Sequence, residues 1–88
     1  MGGYVLEVCS GRAAWQVQPS SLSQIEMGEV SEKIISSGWE CTLKNRLCYT
    51  FSGPVDLTLF PSGKLLIKTP DQQIADDIAK KHIETWLN

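Results

Sequence analysis

Cys9, Cys41, Cys48 and His82 are the residues of this 88-residue chain best suited to nucleophilic or metal chemistry. A thiolate beside an imidazole is an activated nucleophile, and thiols with an imidazole make a donor set for zinc. The spacing speaks against both. Structural zinc sites draw their ligands from closely spaced pairs, and no two of these four residues form one. Three cysteines without a close pair also disfavour a disulfide scaffold and fit a reducing compartment. The simpler expectation is small buried hydrophobes at the cysteines and a core histidine with one satisfied hydrogen bond at His82. A thiol- or metal-dependent protein is kept as a third reading.

Other reaction chemistry has no foothold. There is no Gly-x-Ser-x-Gly elbow, no phosphate loop and no dinucleotide fingerprint. Asp76-Asp77 and Lys80-Lys81 are neighbours on the solvent side of a helical pattern, where a solvated surface explains them. Nothing nominates an enzyme, and no cofactor is implied.

Composition narrows the class. Hydrophobic residues are 42% of the chain and charged residues 20%, which suits one small globular domain spanning residues 1–88. No apolar run reaches the roughly 18 residues needed to span a bilayer, and the first residues do not read as a secretory signal. Met1-Gly2 opens a myristoylation pattern that fails at Leu6. A cytoplasmic protein without a membrane partner is expected. The net charge of −2 is not the basic footprint of a phosphate-binding protein.

The elements that would position these residues follow from periodicity and turn chemistry. Tyr4 to Val8 is a short β-type run ended by Ser10-Gly11; Ala13 to Val17 is ambiguous, and Pro19 breaks the chain. Ser23 and Glu26 have the capping-box spacing, and Met27, Val30 and Ile34 share one helical face. Gly38 stands where a left-handed cap belongs, with Trp39 as its hydrophobic contact. Glu40 to Leu43 and Leu47 to Phe51 read as strands joined by a turn at Lys44-Asn45-Arg46. Val55 to Phe60 and Lys64 to Thr69 form a hairpin around Pro61-Ser62-Gly63. Thr69 then caps a last helix with Pro70 in its first turn. Ile74, Ala75, Ile78, Ala79, Ile83, Trp86 and Leu87 form its apolar stripe, with His82 among them.

Period-two alternation assigns Leu57, Leu59, Leu65 and Ile67 to the helix-covered face of the sheet. Thr58, Phe60, Leu66 and Lys68 fall on the other. The strand before can turn either Leu47, Tyr49 and Phe51 or Cys48 and Thr50 outward. The first choice would leave an apolar patch on an open sheet, and such patches tend to be interaction surfaces.

Leu57-Thr58-Leu59-Phe60-Pro61-Ser62-Gly63-Lys64-Leu65-Leu66-Ile67, followed by a helix with Ala75 and Ala79, resembles one repeat of TATA-box-binding protein. The match covers about the last 35 residues, mainly 54–88; upstream only the order of elements agrees. The resemblance implies an α+β fold. It would be a curved antiparallel sheet of four to five strands with two helices on one face, in strand-helix-strands-helix order. Phe60 matches one of the family's two groove-wedging phenylalanines. The other falls near Leu47, which is not aromatic, and Lys64 matches the lysine of the turn. The family uses two repeats and this chain has one, which a homodimer would restore.

The leading expectation is a non-catalytic binding module that uses its open sheet face for a protein partner or a second copy. Its candidate contact residues are Phe60, Leu66, Lys64, Lys68, Leu47, Tyr49, Phe51 and Arg46. The alternative is nucleic-acid binding through the same face, with Lys64, Lys68, Arg46 and Lys44 on phosphates.

Overall fold

The computed structural model describes residues 4–8, 14–19 and 24–87. Among the described residues, six strands form one sheet. They are β1 (Tyr4–Val8), β2 (Trp15–Pro19), β3 (Glu40–Lys44), β4 (Tyr49–Ser52), β5 (Asp56–Leu59) and β6 (Leu65–Lys68). Helix α1 (Met27–Ser36) stands between β2 and β3, and α2 (Gln72–Lys81) follows β6 and runs into a π-helical turn, His82–Trp86. The strand order is β1-β2-β6-β5-β4-β3, antiparallel at every step. The α+β class and the open antiparallel sheet agree with the sequence. The strand count does not: there are six rather than four to five. Of the ambiguous Ala13 to Val17, Ala13 lies outside the described residues and Trp15 onward is strand β2, which runs on through Pro19 and carries β1 as an added edge.

Turn chemistry explains the meander. Asn45 Oδ1 accepts from the backbone N–H groups of Leu47 (2.8 Å) and Cys48 (3.0 Å), an Asx turn that closes β3 onto β4. That places Leu47 in the turn, so β4 begins at Tyr49 rather than at Leu47. Between β5 and β6, Phe60 N–H donates to Lys64 O at 2.9 Å and Gly63 N–H to Phe60 O at 2.9 Å. Gly63 has φ +92°, a conformation that glycine adopts without steric cost.

Both helix ends bear on the sequence reading. At the end of α1, Gly38 has φ +114°; its N–H donates to Ile35 O and that of Trp39 to Ile34 O. This is the paired bonding of a Schellman cap, and Trp39 is buried as the accompanying contact. The start of α1 departs from expectation: Glu26 is the N-cap and makes no side-chain cap bond, and Ser23 lies outside the described residues. For α2 the cap is Asp71 rather than Thr69. Its Oδ1 accepts from Gln73 N–H at 2.9 Å and Ile74 N–H at 3.3 Å. Thr69 Oγ1 instead accepts from Asp71 N–H, holding the cap residue in place.

One core lies between the sheet and the helices. Val17, Phe51, Leu57, Leu59, Leu65 and Ile67 alternate onto a single sheet face, and each is at most 1% exposed. They pack in one cluster with Val30 and Ile34 of α1 and with Ala75, Ile78, Ala79 and Trp86. Since that cluster takes one face of the sheet and both helices, the helices share that face. Two tryptophans close its end. Trp39 Nε1 donates to Val55 O at 2.7 Å, and Trp86 Nε1 to Ser37 Oγ at 3.0 Å. Their rings meet edge to face with centroids 5.5 Å apart, the favoured aromatic geometry.

Candidate binding face of the sheet

Registered pairs in a sheet share a face, so the pairing settles which side chains point away from the helices. Tyr49 pairs with Leu59 and Phe51 with Leu57, which places both aromatics on the helix side. Phe51 is 1% exposed and Tyr49 half-buried. The outward alternative is therefore Thr50, and neither aromatic belongs to the open face.

The open face carries a registered row across the whole sheet: Glu7, Gln16, Leu66, Thr58, Thr50 and Leu43. Hydroxyls dominate the β3 half. The Thr42 and Thr50 Oγ1 atoms are 2.7 Å apart, bridging β3 and β4 where the register of β3 shifts by a bulge. Thr58, on the next strand, is only 7% exposed although it faces away from the helices. Leu66 beside it is half-buried and Leu43 nearly half exposed. A shallow hollow of about 350 Å³ is lined here by Thr42, Thr50, Ser52, Asp56 and Lys68, among others. Asp56 and Lys68 are cross-strand partners, so the hollow carries both signs of charge.

The remaining candidates sit at the other end of the sheet. Phe60 is half-buried, and Lys64 Nζ lies 4.7 Å from its ring centroid, within cation–π range. Leu47 is 78% exposed at the tip of the β3–β4 turn. Lys44 and Arg46 line a separate cleft of about 440 Å³ with Asn45, Tyr49, Pro61 and the start of α1. Lys44 pairs with Tyr49 on the helix side, with its Nζ 5.8 Å from the ring centroid. The four basic residues expected on one face are thus divided. Lys68 belongs to the open-face hollow, Lys64 to the Phe60 turn, and Lys44 and Arg46 to the cleft.

His82 is wholly buried, and its ring bonds the Gly63 carbonyl. Burial outweighs that bond and pulls its pKa from 6.5 down to about 4. This is a core histidine: its Nε2 hydrogen is committed to Gly63, and its basic Nδ1 is shut in the interior, away from solvent. Cys41 and Cys48 are half-buried free thiols, Cys41 Sγ lies 3.5 Å from Leu43 O, and Cys9 falls outside the described residues. Among the described residues, no three His, Cys, Asp or Glu side chains gather to hold a metal ion, and no helix is long and apolar enough to cross a membrane.

Comparison with protein-family models, with curated proteins and with solved structures yields no match. The chemistry of the site rests on this chain's own residues.

Two features of the site are not legible in the sequence. The hydroxyl row needs the register between strands, which no single strand reveals. The cleft joins the start of α1 to two turns distant in sequence.

Proposed function

We propose that this chain is a non-catalytic binding module that docks a segment of a protein partner on the helix-free face of its sheet. The observation carrying this reading is the asymmetry of the sheet. Most of its large apolar side chains lie under the helices, with Leu66 and Leu43 left on the other face. The other face is left as a polar surface around Leu66, with the hydroxyls of Thr42, Thr50 and Thr58 and the Asp56–Lys68 pair beside it. A moderately apolar centre ringed by hydrogen-bonding groups is the composition of a non-obligate protein interface.

Peptide-display selection on the purified domain tests this. Selected peptides should lose about tenfold or more in affinity on Leu66→Asp and keep it on Glu32→Lys, an exposed change on α1. If no peptide distinguishes the wild type from Leu66→Asp, the face has no such role.

The likeness of the Phe60-to-Ile67 segment to TATA-box-binding protein supports a second reading, nucleic-acid binding. The specific observation favouring it is Lys64 held over Phe60, which pairs a cation with a ring able to stack or wedge. It predicts binding that weakens steeply with salt. The absence of a shift with single- and double-stranded oligonucleotides at low salt would end it.

A further inference from the structure

The two edges of the sheet are built differently. An edge strand presents unpaired N–H and C=O groups and is usually blunted by charge, proline or a bulge. β3, at one edge, has such protection: a bulge between Cys41 and Leu43, with Glu40 and Lys44 at its ends. β1, at the other, has neither bulge nor proline and a single charge, Glu7. Its five residues, Tyr-Val-Leu-Glu-Val, pair without irregularity to β2 from Tyr4↔Pro19 to Val8↔Trp15. It contains no proline and no lysine, and among the described residues no strand lies beyond it. Val8 is on the helix side, in register with Trp15 and through it with Ile67, yet it is 46% exposed. The helices do not account for it: α2 rests on β2 and β6, and α1 on β3.

We propose that β1 is a homodimerisation edge, pairing antiparallel with β1 of a second copy about a two-fold axis at Leu6. In that register the helix-side positions pair apolar residue with apolar residue, and no two charges meet. Tyr4 falls opposite Val8 of the second copy, Val5 opposite Glu7, and Leu6 opposite Leu6. All five residues are used, and paired positions keep the same face, so both helix layers lie on one side of a continuous twelve-stranded sheet. The shift that centres on Glu7 instead would set two carboxylates against each other, which is destabilising. A shift by one residue would put helix-side positions opposite open-face positions. The dimer would align two open faces on one surface, so a partner with two docking segments would gain from effective concentration. The dimer does not depend on the proposed use of that face.

Light scattering across a dilution series measures this directly. The wild type should reach twice the monomer mass at high concentration, and Val8→Lys should raise the dissociation constant by about tenfold or more. Leu43→Lys on the opposite edge and Leu66→Asp on the open face should leave it unchanged. Hydrogen exchange provides the second readout: β1 amides should slow as concentration rises while β3 amides do not. A wild type monomeric throughout, a Val8→Lys variant as dimeric as the wild type, or concentration-independent exchange in β1 would each overturn the proposal. So would a dimer broken by Leu66→Asp but not by Val8→Lys, which would place the contact on the open face instead.

Discussion

His82 donates its Nε2 hydrogen to the carbonyl oxygen of Gly63 across 2.7 Å, tying the π-helical turn to the β5–β6 hairpin. The other ring nitrogen, Nδ1, is buried and has no hydrogen-bond partner among the described residues. A proton added there would place an imidazolium in the core, which is why the pKa falls from 6.5 to about 4. The folded state stays neutral while the unfolded chain takes up a proton. Stability is therefore full above pH 6.5 and declines as pH falls toward about 4. At about 1.4 kcal/mol per pKa unit, the decline between pH 7 and pH 4.5 should be about 2–3 kcal/mol. Urea denaturation at several pH values should show it, and His82→Leu should remove most of that slope. An equal slope in both proteins would mean that His82 does not govern acid stability.

Gly53 is required by Trp39. A Cβ on Gly53 would stand 2.6 Å from Trp39 Cδ1, and the Nε1–Val55 bond holds that ring in place. Gly53→Ala should cost about 1–3 kcal/mol through overpacking. Gly28 is the contrast: it lies within α1, and a Cβ there meets nothing within 4 Å among the described residues. Gly28→Ala should stabilise by about 0.5–1 kcal/mol. Thermal unfolding of the two variants should move the midpoint in opposite directions.

Asp71 supplies the side-chain cap of α2 through two backbone N–H groups. Asp71→Ala should cost about 1 kcal/mol, while Thr69→Val, which removes only the acceptor for Asp71 N–H, should cost less. Denaturant midpoints with an unchanged slope would confirm a local effect on stability.

The face assignment predicts a sharp contrast between neighbours on β6. Leu65 is wholly buried against the helices, whereas Leu66 is half-buried on the open side. Leu65→Asp should abolish folding, because it strands a charge in the core. Leu66→Asp should leave the fold intact with a loss of no more than about 1 kcal/mol. Circular dichroism of the two proteins checks this.

Local signals made much of this fold legible. Strict alternation in Leu57–Leu59 and Leu65–Ile67 gave the buried face, and Gly38 with Trp39 gave the end of α1, because both depend on residues close in sequence. β2 is ambiguous in the sequence because Trp15-Gln16-Val17-Gln18-Pro19 is short, ends in proline and shows its role only when paired with β6. β4 starts at Tyr49 because the turn held by Asn45 spans Asn45 to Cys48 and takes in Leu47. Ile74, placed on the buried stripe by helical angle, is 41% exposed, since it lies in the first turn of α2. The hydroxyl row of Thr42, Thr50 and Thr58 was hidden in three separate strands. Only their register assembles it.

The binding role of the open face is tested most directly by titrating one display-selected peptide into three proteins: wild type, Leu66→Asp and Glu32→Lys. Saturable binding to the wild type and to Glu32→Lys is expected, with affinity for Leu66→Asp weaker by about tenfold or more. Equal affinity for all three, in folded proteins, would contradict it.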